Sequence, residues 1–196
     1  MQISSAEMIS QRAFRRLLQA MSRPGRVYVL PHDAGKGPWG PMLTLMESLL
    51  DHEVSFAVIG DSGPENLQSI IAGRTRCRAA APHEADFLIV AGGDSGGETL
   101  RAKRGTLQYP DTSATVVYRV KSLLSVEEGE VGASLKGPGI REEIRLGEIR
   151  GLAPRELGYL REANAEFPLG VDAVFIDDAG RILCIPRSTD IRILEN

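Results

Sequence analysis

Cysteine is scarce in this sequence: Cys77 and Cys184 are its two, far apart and in unrelated surroundings. That excludes a disulfide framework and a cysteine set for an iron–sulfur cluster, although a single disulfide stays open. Both are expected as reduced thiols of a cytoplasmic protein. Histidine is scarce too. His32, His52 and His83 are each followed by an acid, and none has a second ligand at metal spacing, so no metal site is expected. Excess positive charge is lacking: 23 basic against 26 acidic residues give a net charge of −3, no footprint for nucleic acid. No apolar run approaches the roughly 20 residues that cross a bilayer, and MQISSAEMIS has no basic stretch followed by an apolar one, so neither a membrane span nor a signal peptide is expected. Lysine is the least used cation, with Lys36, Lys103, Lys121 and Lys136 alone among the 23. The remaining arginines suit carboxylate and phosphate, but genomic GC bias produces the same choice.

What is present fits one α/β domain, residues 1–196, large enough to bury a core. Ser4-Ser5-Ala6-Glu7 has the form of a capping box. A helix follows with Phe14, Leu17, Leu18 and Met21 as its expected buried face, and Ser22-Arg23-Pro24-Gly25 stops it. Arg26–Leu30 reads as a strand, His32–Pro41 as a Gly/Pro-rich loop, and Pro41 starts a second helix with Leu43, Met46 and Leu50 on one side. Val54–Ile59 and Phe87–Ala91 are almost wholly apolar, the pattern of strands covered on both faces, and Asn66–Ala72 is a short helix between them. Ala114–Val120 is a further strand. Val131–Leu135 and Glu143–Leu146 flank a Lys136-Gly137-Pro138-Gly139 turn, and a helix runs from Pro154 to about Glu166. Within residues 167–191, two apolar strands flank Asp178-Ala179-Gly180, a hairpin. The pattern predicts a three-layer αβα sandwich with a mixed sheet.

Residues 92–98, GGDSGGE, raise the question of a catalytic serine. Gly93-Asp94-Ser95-Gly96-Gly97 matches the run around the nucleophile of chymotrypsin-like proteases, and it also meets the Gly-x-Ser-x-Gly elbow of α/β-hydrolases, after a strand as required. A serine nucleophile needs a base and an orienting acid. No histidine stands in the Ala-Ala-His-Cys setting of the protease family. None follows Ser95 at all, because His83 is the last, so the hydrolase order is broken. The expected reading is a glycine-rich loop at the end of a strand, with Ser95 a decoy.

The second glycine site, Leu135-Lys136-Gly137-Pro138-Gly139-Ile140, is a tight turn with a cation beside it. Arg12, Arg16 and Gln19 form a polar stripe on the first helix, by default a solvated face. Arg187 leaves a buried strand after Pro186, where it pairs with an acid or meets a ligand.

Three blocks together carry a family resemblance. Phe14–Gly25 (FRRLLQAMSRPG) resembles the opening signature of the PhnH family, the H subunit of the bacterial carbon–phosphorus lyase complex. Leu135–Ile140 resembles that family's Leu-x-Gly-x-Gly-Ile turn, and Phe167–Asp172 followed by Ile185–Thr189 resembles its C-terminal block. The resemblance implies a role in alkylphosphonate use, as an accessory or co-catalytic subunit of an assembly with the G, I and J subunits. That assembly displaces adenine from a nucleoside triphosphate with phosphonate, giving a ribose 1-phosphonate 5-triphosphate. It further implies a homodimer, a fold similar to the large domain of pyridoxal-phosphate-dependent transferases without the cofactor site, and no cofactor. For a phosphonate or nucleoside triphosphate ligand the candidate residues are Arg15, Lys136, Gly137, Gly139 and Arg187, since guanidinium groups and glycine amides suit such anions. The alternatives are a stand-alone phosphonate- or nucleotide-binding module, a pyridoxal-phosphate enzyme using one of the four lysines, and a hydrolase acting through Ser95.

Overall fold

Ten strands and five α-helices make up the described part of the chain, which in a computed structural model comprises residues 5–32, 34–60, 66–124 and 131–194. The first helix, α1 (Ser5–Met21), ends where the sequence predicts; Ser4 of the expected capping box lies outside the described residues. The face it buries differs from the expected one. Ala13, Leu17 and Ala20 are buried, whereas Phe14 is 43% and Leu18 51% exposed. The two alanines let α1 settle closely on its neighbours α2 (Gly40–Leu49) and β9 (Arg181–Ile185), and that turns the bulkier residues outward.

Strand β1 (Tyr28–Val29) is shorter than expected, and the run expected as loop forms 3₁₀ turns over Ala34–Trp39, broken at the non-helical Gly37, before α2 begins. Pro41 sits in the first turn of α2, where its missing N–H is no loss. Then come β2 (Ser55–Ile59), α3 (Leu67–Thr75), β3 (Arg78–Ala79), β4 (Phe87–Val90), the single turn α4 (Glu98–Arg101) and β5 (Thr115–Val120). Strands β6 (Val131–Lys136) and β7 (Ile144–Gly147), helix α5 (Glu156–Ala163), β8 (Asp172–Asp177) and, after β9, β10 (Asp190–Ile193) complete the chain.

Seven strands form a mixed sheet in the order β1-β9-β8-β5-β4-β2-β3. The block from β8 to β3 is parallel; β9 and β1 add antiparallel, and the β8–β9 hairpin turns at Asp178-Ala179-Gly180 as expected. Alternation along the central strands sorts the core onto two faces. Val117 of β5, Val174 and Ile176 of β8 and Ile182 of β9 face the side covered by α1, α2 and α3. Val116, Tyr118, Phe175, Leu183 and Ile185 face the other, with Leu135, Leu146, Leu160 and Ile191 above them. Tyr118 and Phe175 are register partners and stack at 5.0 Å between centroids.

That second face is where the α/β expectation needs refining. The strands on either side of the 136–139 turn do not join the main sheet. They pair with each other and with β10 in a separate three-stranded antiparallel sheet, β10-β6-β7, which shares the second face with α4 and α5. The separate sheet was hidden because β10 is only four residues long and its partner lies some fifty positions away, a pairing that no local pattern displays.

Candidate functional site

The sequence blocks that stand far apart in the chain meet in space. Gly139, at φ +83°, lies against the Ser22 carbonyl and Pro24 Cδ, with no room for a Cβ. Gly137, at φ +147°, faces the Ser188 carbonyl and Thr189 Cα, which a Cβ would approach to 2.8 and 3.2 Å. Gly25 closes the circle: its N–H donates to the Cys184 carbonyl at 3.1 Å, and a Cβ there would meet Leu135 Cδ1 at 2.9 Å. The β10–β6 register sets Asp190 opposite Lys136 and Ile191 opposite Leu135. These glycines therefore serve close approach of backbone to backbone. The opening block, the glycine turn and the C-terminal block form one seam tying the end of α1, the small sheet and the exit from β9. Lys136 is half exposed and 4.0 Å from Glu143, whose carboxyl is held below its usual range by a hydrogen bond with Ser134 and by Lys136, Arg192 and Arg145, burial opposing.

Arg187 resolves its alternatives toward an acid. Its Nη2 donates to Asp172 Oδ2 at 2.6 Å and its Nε to Oδ1 at 3.3 Å, its own backbone N–H reaches Oδ1 at 2.8 Å, and Nη1 donates to the Pro110 carbonyl. Asp172 is the last residue of the Phe167–Asp172 segment, so this bidentate pair joins both halves of the C-terminal block. A cleft of about 290 Å³ opens beside it, lined by Arg161, Asn164, Phe167, Arg187, Ser188 and Thr189. Of its two arginines, Arg187 is paired with Asp172, and Asp190 also lines the cleft.

The GGDSGGE run forms a turn after β4, as expected, but it is fastened rather than loose. Ser95 is 1% exposed. Glu156, the first residue of α5 and 0% exposed, accepts from the Ser95 backbone N–H at 2.7 Å, the Ser95 hydroxyl at 2.8 Å, the Tyr118 hydroxyl at 2.8 Å and Thr99 Oγ1 at 3.3 Å. Thr99 Oγ1 and Tyr118 Oη are 2.6 Å apart. Burial, and next the Glu156 carboxylate, push the Tyr118 hydroxyl well above its ordinary range. Gly93, at φ +73°, packs against the Gly151 carbonyl and accepts from the Ala153 N–H at 2.8 Å. Among the described residues no histidine bonds to Ser95, its hydroxyl donates into a carboxylate and it is buried, so it is not poised to attack a substrate. The nearness of Ser95 and Glu156, 61 positions apart, is invisible in the sequence; the sole local signal is an acid in a helical first turn.

Arg15 stands apart from the seam. With Arg12, Arg16 and Gln19 of α1 it lines a cleft of about 520 Å³ whose other wall is Val29 and Pro31, at and just beyond β1. Arg16 Nη1 donates to Gln19 Oε1 at 2.9 Å. Among the described residues none of the three arginines has a carboxylate partner. The expected group of five thus divides into the glycine turn with Arg187, which are neighbours, and Arg15 in a different cleft.

The contacts between the signature blocks span the fold, and the match to known proteins does the same. The family model of the bacterial phosphonate metabolism protein PhnH matches residues 3–192. The chain belongs to this family. Relatives within reach include the putative C-P lyase subunit protein HtxG of Stutzerimonas stutzeri, 33% identical over 185 residues that cover 93% of this chain and 86% of that one. The alpha-D-ribose 1-methylphosphonate 5-triphosphate synthase subunit PhnH of Rhizobium meliloti (strain 1021) is 28% identical over 191 residues, covering 93% of this chain and 90% of its own. The blocks that carry the PhnH resemblance form, on this structure, that seam.

Proposed function

We propose that this chain is a supporting subunit of a carbon–phosphorus lyase core assembly, acting where alkylphosphonate is joined to a nucleoside triphosphate to give a ribose 1-phosphonate 5-triphosphate. The observation that carries this is the family match over residues 3–192, with two nearly full-length relatives, one named a putative C-P lyase subunit and the other an alpha-D-ribose 1-methylphosphonate 5-triphosphate synthase subunit. A supporting role suits the residues. The one serine in a nucleophile-like run is locked into Glu156, and Arg187 is engaged by Asp172. The partners in this reading are the G, I and J subunits, the chain is a cytoplasmic homodimer, and the fold is kin to the large domain of pyridoxal-phosphate-dependent transferases without their cofactor. Among the described residues no helix is long and apolar enough to cross a membrane, which fits such an assembly.

The test is co-expression with the G, I and J subunits, read by light scattering on a sizing column and by growth of a deletion strain on methylphosphonate as sole phosphorus source. Co-elution in one assembly and growth that depends on this gene are expected. A chain that elutes alone, in a strain that grows without it, would overturn the reading in favour of a stand-alone binding module.

A further inference from the structure

We propose that the cleft between α1 and β1 binds the triphosphate chain of a small molecule through Arg12, Arg15 and Arg16. The starting point is charge. Buried or paired cations abound elsewhere: Arg187 on Asp172, Arg181 on Asp177, Arg119 on Asp178 and Arg74 on Glu47. In this cleft three guanidinium groups gather with no carboxylate among the described residues to neutralise them. Positions 12, 15 and 16 are related by i, i+3 and i+4, so their side chains rise from one strip of α1 with Cβ atoms about 5–6 Å apart. Like charges at such spacing repel and destabilise a helix slightly. The arrangement leaves a concentrated positive field over a concave surface, which attracts and holds an anion of several charges.

Shape selects among anions. The cleft, about 520 Å³, lies in the size range of small-molecule sites, roughly 300–1,000 Å³. Gln19 holds the Arg16 guanidinium, leaving its remaining N–H groups as a fixed fork of the kind that matches phosphate. The opposite wall, Val29 and Pro31, is apolar, and Val29 is 61% exposed, a shelf for the uncharged body of the ligand. An acidic polypeptide fits less well. Leu30 spends its N–H on Gly180 of the β8–β9 turn, β1 itself is two residues long, and Pro31 has no N–H. An added strand finds almost no ladder there. A second copy of the chain is disfavoured as occupant because it would bring six guanidinium groups together.

The inference rests on the functional reading above only for which triphosphates the cell presents, a nucleoside triphosphate or a ribose 5-triphosphate. The experiment is titration calorimetry of the whole chain at low salt with tripolyphosphate, ATP, methylphosphonate and a polyglutamate peptide, on the wild type and on Arg12→Gln/Arg15→Gln/Arg16→Gln. Arg192→Gln, an exposed arginine of β10, serves as the remote control. Tripolyphosphate and ATP are expected to bind, at least tenfold more weakly in the triple variant and unchanged in the control, with affinity falling as salt screens the charges. Equal affinity for the two identifies the phosphate chain alone as the recognised group; tighter binding of ATP adds the apolar shelf. A triple Arg→Lys variant, which keeps the charge and loses the fork, should recover part of the affinity. Absence of triphosphate binding, retention of it in the triple Gln variant, or binding of polyglutamate in preference would overturn the inference. Those outcomes leave growth on methylphosphonate dependent on the gene, so they are separable from failure of the subunit reading.

Discussion

Glu156 and the arginines of α1 are charged groups treated in opposite ways. Glu156 lies at 0% exposure without a cationic partner among the described residues, and four donor groups from Ser95, Thr99 and Tyr118 converge on it. Arg12, Arg15 and Arg16 face a cleft with no carboxylate among the described residues. A charge that the fold satisfies completely holds the fold together; a charge that it leaves unsatisfied, beside a cavity, is available to something else. By this contrast the segment that looks catalytic in the sequence is structural, and the segment that looks like a solvated helix face is the better place to seek a ligand.

The strongest way to break the contrast is to remove the buried carboxylate. Glu156→Ala leaves the Ser95 N–H and the hydroxyls of Ser95, Thr99 and Tyr118 without their acceptor. An unsatisfied buried polar group costs about 1–3 kcal/mol, and the hydroxyls can partly re-pair, so a loss of about 3 kcal/mol or more is expected. Glu156→Gln, which keeps one acceptor oxygen, should lose about half as much. Urea unfolding followed by circular dichroism measures both. Triphosphate binding at α1 should survive wherever the variant stays folded. A Glu156→Ala protein as stable as the wild type would mean that the node is not structural.

A milder perturbation addresses the seam. Gly139 has φ +83° and lies tight against the Ser22 carbonyl, so Gly139→Ala adds both strain and a clash. A loss of about 2 kcal/mol is expected, against almost none for Gly132→Ala, whose Cβ would point into open space. Gly132→Ala as damaging as Gly139→Ala in the same unfolding experiment would remove the argument that these glycines serve backbone approach.

The same residues show what could be read beforehand and what could not. The apolar strands at 54–59, 87–91 and 114–120, the hairpin at 178–180 and the stop after Met21 are legible because each depends on a local pattern, and all lie where that pattern sets them. Size and spacing place Phe14 and Leu18 in the core, yet close packing rewards Ala13 and Ala20 instead. The glycines of the 136–139 turn were legible as a turn, but their partners Ser22 and Ser188 are not local. Glu156 was illegible as a buried acid, since its four donors come from residues 38 to 61 positions away. Composition shows which charges exist; only the fold shows which of them are satisfied.

Asp86 stands between the two extremes and gives the smallest and most specific test. It is partly buried, as Glu156 is wholly, but it has a cation, Lys103 Nζ on Oδ1, and Oδ2 accepts from Ser55 N–H at 2.8 Å and Ser55 Oγ at 2.6 Å. Burial pushes its carboxyl up; the bonds to Lys103 and Ser55 outweigh burial and hold it below the ordinary 3.8. A group whose folded value is depressed stabilises the protein fully above its unfolded value and loses that contribution as pH falls through the folded one. Asp86→Asn should therefore be less stable than the wild type at pH 6–7, by a few tenths to about 1 kcal/mol for so exposed a pair. The gap should close as pH is lowered from about 4 toward 2, where both proteins carry a neutral side chain at position 86. Urea midpoints across that range decide it. A gap that persists unchanged at pH 2 would show that Asp86 acts through its shape and hydrogen bonds to Ser55 rather than through its charge, and would move it to the side of Glu156.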